Sequence, residues 1–262
     1  MMRKMLLILF FLVSVNLQAQ TRLIVLDVKE GQSVLLKHNN EGLLVDTGHA
    51  GQSASLLKKL HQYGVEKVKS IILTHLHPDH ASGYFRLKEA FPLAKIFSNC
   101  HPLPVNVQPD ITRWLNEALQ SDQEHRCLKA GDTHKFYNAA LTVLWPYEFI
   151  NNNLNQHSLV INISIDESNV LIMGDAGFNE EQALYDEKKL QKNITALIVG
   201  HHGANDATSM QFIRRVKPGI AVISVNKNNV RGYPSRETIK RLKEINIKIF
   251  RTDIHGDIDV YK

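Results

Sequence analysis

The sequence predicts an α+β fold in which two sheets pack face to face beneath outer layers of helices. Two observations carry this. Each half of the chain holds a run of short apolar strands in meander spacing, and amphipathic helices are interspersed among the strands of both halves. The length beyond the N-terminal leader suits one large domain, residues 20–262, with no internal repeat, low-complexity tract or linker.

Leu23 to Val28 and Ser33 to His38 read as paired strands, and Leu43 to Gly48 as a third that ends in Asp46 and a Gly turn. Ser53 to Tyr63 has helical apolar spacing, closed by Gly64. Ile71 to Thr74 is a buried strand, Gly83 to about Phe91 a short helix, and Ala94 to Ser98 another strand. Cys100 to about Lys129 carries Pro102, Pro104 and Pro109 and a helix from Ile111 to Leu119, and reads as a flap over a site. In the second half, strands are expected at Leu141 to Trp145, Ser158 to Ile165, Val170 to Met173, Ala196 to Val199, Ile220 to Val225 and, as the last, Lys248 to Arg251. Helices are expected at Glu180 to Leu190, Met210 to Val216 and Ser235 to Ile245.

Residues 1–19 read as a secretory signal peptide. Arg3 and Lys4 give a positive start, Met5 to Val15 is almost wholly apolar, and Ala19 offers a small residue for cleavage. The run is short for a membrane span, so the mature chain is expected to have none and to be secreted or periplasmic. Losing Arg3 and Lys4 takes the formal charge from +5 to +3. That mild basic bias tolerates an anionic partner without demanding nucleic acid. Cys100 and Cys127 are the only cysteines, and in an exported protein they form either one disulfide or two buried thiols.

The chemistry is concentrated where the Ile71 strand ends. His75, His77, Asp79 and His80 follow in the order H-x-H-x-D-H. In extended chain His75 and His77 share a face, and Pro78 turns the chain so that Asp79 and His80 offer a second set of ligands. Imidazoles with a carboxylate suit zinc best, with manganese or iron behind it. Asp175, after Gly174 at another strand end, is the candidate bridge between two ions. His201 and His202 follow a further strand end. Adjacent side chains point apart, so at least one is a ligand, with His202 beside Gly203 as first choice. His157 stands where a third ligand of the first ion is expected, and Asp46 is placed to accept a hydrogen bond from a ligand imidazole. His255 is a candidate catalytic proton donor beside Asp79, and Lys227, Arg231 and Arg251 are candidate anion contacts. His38, His61, His101, His125 and His134 read as surface or loop residues, whereas His49 is near enough to Asp46 to approach the cleft.

These motifs resemble those of the metallo-β-lactamase superfamily, and more narrowly the hydrolase domain of the ComEC/Rec2 DNA-uptake proteins and its free-standing relatives. The H-x-H-x-D-H segment is similar to the superfamily's first metal motif. The segments Asp27 to Ser33, Leu44 to Gly48, Asn155 to Val160, Gly174 to Ala176, Val199 to Gly203, Ser224 to Asn229 and Arg251 to Gly256 follow the narrower group in order. His157, Tyr233 and Ala204 depart from it, standing where Asn, His and Ser are usual. The resemblance implies a four-layer αββα sandwich and hydrolysis at a dinuclear, zinc-type site by a metal-bound hydroxide. The expected substrate is a small or polymeric phosphodiester, nucleic acid included. The alternatives are a lactam, lactone or thioester on the same site, or a non-catalytic binding module.

Overall fold

The computed structural model describes residues 21–101, 110–148 and 153–261. The proposed signal peptide therefore lies outside the described residues.

The first sheet contains β1 (Arg22–Val25), β2 (Val34–His38), β3 (Glu41–Val45), β4 (Lys67–Leu73), β5 (Lys95–Ser98), β6 (His125–Cys127) and the C-terminal β14 (Ile258–Tyr261). Their order is β14-β1-β2-β3-β4-β5-β6. The second holds β7 (Thr133–Phe136), β8 (Ala139–Trp145), β9 (Val160–Ile165), β10 (Ser168–Ile172), β11 (Ala196–Ile198), β12 (Ile220–Ile223) and β13 (Lys248–Arg251), in the order β13-β12-β11-β10-β9-β8-β7. Each sheet is half antiparallel meander and half parallel ladder. The change comes at β3–β4 in the first and at β10–β11 in the second.

Alternation along the strands builds three apolar layers. Leu23, Val25, Leu36 and Val45 face Ile161, Ile163, Val170 and Ile172 between the sheets. Ile24, Leu35, Ile71 and Leu73 face outward, beneath Leu56 and Leu60 of α1 (Ser53–Gln62), Leu87 of α3 (Tyr84–Ala90), and Leu115 and Leu119 of α4 (Asp110–Ser121). On the far side, Leu171, Leu197 and Ala221 lie under Leu184 of α5 (Phe178–Asp186), Phe212 and Ile213 of α6 (Met210–Val216), and Leu242 of α7 (Arg236–Glu244). This is the αββα order expected. Two short helical segments remain, α2 (Pro78–Ala81) and α8 (Thr252–His255).

The structure corrects the flap reading for residues 110–129, while Pro102, Pro104 and Pro109 lie outside the described residues. Helix α4 buries Leu115 and Leu119 in the outer core, and β6 extends the first sheet beside β5. Lys248–Arg251 is not the last strand either. β14 returns to the first sheet, where Asp259 accepts three hydrogen bonds from the Arg22 guanidinium, at 2.7, 2.9 and 3.2 Å. Cys100 and Cys127 are joined in a disulfide with Cα atoms 5.3 Å apart, across a sequence separation of 27. No helix among the described residues is long and apolar enough to cross a membrane.

Closing a loop of that length restricts the unfolded chain and is worth about 3 kcal/mol. Replacing both cysteines by serine is expected to lower the denaturant midpoint accordingly. An unchanged midpoint, or two reactive thiols in the native unreduced protein, would contradict the bridge.

Candidate metal centre

The candidate ligands converge where the strands of both sheets end. β4 runs out at Thr74, and His75 and His77 follow in extended chain. His77 caps α2, whose first residue is Pro78, a position that suits proline because no helical donor is lost there. The single turn that follows buries Asp79 and His80. From the second sheet, Asp175 follows β10 through Gly174, and His201 and His202 follow β11. Both histidines adopt left-handed backbone, at φ 49° and 53°, before Gly203 at 79°. The two adjacent side chains consequently serve different neighbours.

His80 Nε2 lies 3.1 Å from His202 Nε2 and 3.0 Å from Asp175 Oδ1. His202 Nε2 is 3.5 Å from Asp79 Oδ2. His75 Nε2 is 3.1 Å from His77 Nδ1 and 3.5 Å from Asp175 Oδ2. Two sets of ligand atoms, His75–His80–Asp175 and Asp79–His80–His202, thus draw together. Their imidazoles are oriented from behind. His80 Nδ1 donates to Asp46 Oδ2 at 2.7 Å, and His202 Nδ1 donates to the Ser224 carbonyl at 2.9 Å. Those acceptors hold the ring protons on Nδ1 and leave the Nε2 lone pairs facing each other. Asp175 Oδ1 is buried 3.0 Å from His80 Nε2 with no well-aligned hydrogen bond to any partner.

Charge points the same way. Burial works against a charged His80, yet Asp175 and Asp46 outweigh it and drive its pKa well above the ordinary value. Burial likewise opposes ionised Asp175 and Asp79, but His80 and His202 hold both well below the usual carboxylate range. At His77, burial and the neighbouring His75 outweigh Asp175 and Asp79 and lower the pKa to about 4. A divalent cation would supply the positive charge that these carboxylates favour at His80, with ring nitrogens of His75, His77, His80 and His202 as its donors. The orphaned oxygen, the facing lone pairs and the imidazole–carboxylate set fit a pair of first-row divalent ions.

Beside the ligands lies a cleft of about 540 Å³, lined by Glu30, His49, His77, Asp79, Arg231 and Tyr233 among others. Its rear wall explains the Glu30-Gly31-Gln32-Ser33 segment. A Cβ on Gly31 would meet the Asp79 carbonyl oxygen at 1.7 Å, so only glycine fits. Gln32 and Ser33 then reach Asp46, through its side chain and its carbonyl respectively.

The family model described as the metallo-beta-lactamase superfamily matches residues 26–97, which span β3, β4 and the H-x-H-x-D-H segment. Over that segment the chain resembles the metallo-β-lactamase superfamily. Recombination protein 2 of Haemophilus influenzae is 27% identical over 240 residues, which cover 90% of this chain and 28% of that protein. Competence protein ComA of Neisseria gonorrhoeae is 27% identical over 231 residues, 88% of this chain and 30% of that one. The chain thus spans less than a third of the length of the curated relatives it matches. Among solved structures, the metallo-beta-lactamase fold protein YhfI of Bacillus subtilis superposes with a TM-score of 0.61 at 15% identity, covering 92% of this chain and all (100%) of that one.

Within this metallo-β-lactamase fold the expected residues divide. His75, His77, Asp79, His80, Asp175 and His202 come together, and His49 and Arg231 reach the cleft, with Arg231 Nη1 3.5 Å from Asp79 Oδ2. His201 stands at the edge, its Nδ1 3.2 Å from Asp206 Oδ1 and its Nε2 3.9 Å from Asp175 Oδ2. His157 joins neither converging set. It is buried, donates from Nδ1 to the Asn153 carbonyl, and packs 4.2 Å from the ring of His101, which is itself buried rather than on the surface.

Three expectations fail. His255 is exposed on α8, with its ring against the Arg251 backbone, and does not line the cleft. Arg251 pairs with Asp253 at 2.6 Å, and Lys227 is exposed away from the cleft. The roles of Gln32, Ser33 and Ser224 were not foreseen, although all three lie in the motif segments.

Asp46→Asn keeps the size of the group but weakens its hold on the His80 proton. Metal affinity is expected to fall about 10- to 100-fold, the usual effect of such partners; equal affinity by calorimetry would mean that the carboxylate does not orient His80. His157→Asn is expected to leave metal stoichiometry unchanged. Loss of one ion by elemental analysis would restore His157 to the ligand set.

Proposed function

We propose that the protein is an exported, metal-dependent phosphodiester hydrolase. One arrangement carries the reading: two converging ligand sets share His80, with Asp175 among them, and border an open cleft that has a guanidinium at its lip. Asp79, His80 and His202 would hold one ion, and His75 and His77 the other, with Asp175 between them. Zinc suits this donor set best, and manganese or iron is the next choice. Such ions, when bound, polarise a phosphoryl oxygen and lower the pKa of water.

The chain's own residues do the rest. Arg231 is half exposed at the lip and is the cation placed to bind a non-bridging phosphate oxygen. Tyr233, with its hydroxyl 3.5 Å from His201 Nε2, and Asn155, with its amide nitrogen 3.3 Å from the same atom, form a polar wall that orients substrate. Asp46 and the Ser224 carbonyl keep the two ligand imidazoles aimed inward. Export is supported by the charged and apolar N-terminal pattern and by the Cys100–Cys127 bridge, which an oxidising compartment maintains.

The test is elemental analysis after dialysis and reconstitution with zinc or manganese, followed by turnover of a chromogenic phosphodiester. Asp79→Asn is expected to lower turnover about a hundredfold with unchanged circular dichroism, since Asp79 holds metal and not core packing. Metal-loaded protein that cleaves lactams or lactones but no phosphodiester would move the function to those substrates. An Asp79→Asn variant as active as wild type would remove this mechanism.

A further inference from the structure

The cleft has a second lobe. A cavity of about 220 Å³ lies on the other side of His201 and shares Asn155, Asp175 and His201 with the larger one. The converging ligands therefore stand at a junction, with space on both sides for the two arms of a substrate.

Both lobes are lined by carboxylates, and they differ in their cations. The larger, with Glu30, Asp79 and Asp175, has Arg231 at its lip, 3.5 Å from Asp79. The smaller is lined by Asn153, Gln156, Phe178, Asn179, Glu180 and Asp206, and no lysine or arginine lines it among the described residues. Asp206 has one oxygen 3.2 Å from His201 Nδ1, but 70% of its side-chain surface is accessible, so it still faces whatever enters. The feature that would welcome an anion here, the N-terminus of α5, is already satisfied. The Gly177 N–H donates to Glu180 Oε2 at 2.7 Å, and the Phe178 N–H donates to the Asp206 carbonyl at 2.8 Å. The rest of the lining is polar but uncharged: side-chain amides, Asn153 Oδ1 accepting from the Asn155 N–H at 3.0 Å, around the half-exposed ring of Phe178.

We propose that the smaller lobe takes an uncharged, hydroxyl-bearing arm of the substrate, a polyol or sugar, while any charged arm lies in the larger lobe against Arg231. This rests on the phosphodiester reading above. Asp206, the exposed carboxylate of this lobe, opposes a second phosphate by like charge, which sets specificity by rejection as much as by attraction. A diester with at least one uncharged flank is then a substrate, whereas one flanked by phosphates on both sides is a poor one. A nucleic-acid strand would be opened at its unphosphorylated end and not within.

Three thymidine dinucleotides test this, sharing one scissile diester and bearing no, one or two terminal phosphates. With metal-loaded protein, kcat/KM is expected to be similar for the first two and about tenfold or more lower for the third. Asn179→Lys, which places a cation in the smaller lobe, is expected to narrow that gap severalfold with metal content unchanged. Equal turnover of all three, or a gap that Asn179→Lys leaves intact, would overturn the proposal. Should none be cleaved, the phosphodiesterase reading fails, and calorimetric binding of the same three compounds decides the lobe separately. Selective loss of binding with two terminal phosphates supports it; equal binding, or none by any of them, refutes it.

Discussion

Everything at the site depends on one buried carboxylate. Asp46 is fully enclosed and accepts hydrogen bonds from the Gln32 amide, the Thr74 N–H, the Thr74 hydroxyl and His80 Nδ1. A buried charge left unpaired is strongly destabilising, so these partners are not optional. They also come from three different places: the turn between β1 and β2, the end of β4, and the turn of α2. One group therefore locks the register of three segments and aims His80 at Asp175 and His202 in the same act. Asp46 itself adopts left-handed backbone, φ 63°, a conformation uncommon for a residue other than glycine and held here by its neighbours.

The position of the site follows from topology. In each sheet the meander gives way to parallel strands, and the loops at the carboxyl ends of the strands flanking that change carry the ligands. Asp46 follows β3, His75 to His80 follow β4, Asp175 follows β10, and His202 follows β11. Open α/β sheets place ligands at such ends for the same reason: neighbouring connections diverge there and leave a crevice. Here two crevices face each other. Both sheets contribute donors, so the convergence exists only while Val45 and Ile72 of the first sheet pack against Ile161 and Ile172 of the second.

Much of this was legible in the sequence because the signals were local. The H-x-H-x-D-H order, the strand-end positions of Asp175 and His202, and the apolar strand before Thr74 are each defined by residues only a few positions apart. What was missed depends on distant partners. β6, β7 and β14 are three- or four-residue edge strands with exposed polar faces, recognisable only by the strand each pairs with. The prolines before α4 suggested a flap, but Leu115 and Leu119 lie one helical turn apart and pack on the first sheet. His101 looked like a surface residue, yet it follows Cys100, whose bridge to Cys127 and left-handed backbone, φ 51°, help bring it inside. Arg251 and His255 sit in a motif-like segment, but their charges and ring nitrogens are taken up by Asp253 and the adjoining backbone.

The histidine pair shows how a strained turn resolves an ambiguity that spacing leaves open. In an extended chain His201 and His202 would point to opposite sides, and only one would reach the cleft. Two consecutive left-handed residues, each costing on the order of 1–2 kcal/mol, bend the chain instead. The turn is pinned by the His201 N–H on the Gly174 carbonyl at 3.0 Å, by His202 Nδ1 on the Ser224 carbonyl at 2.9 Å, and by the Ser235 N–H on the Gly203 carbonyl at 2.8 Å. His202 is thereby sent inward to Asp79 and His80, while His201 stays within 3.9 Å of Asp175 and forms the post between the two lobes. Straightening the turn would remove either a ligand or the post. The strain is tolerated because the same bend sets both side chains against the one carboxylate that joins the two halves of the site.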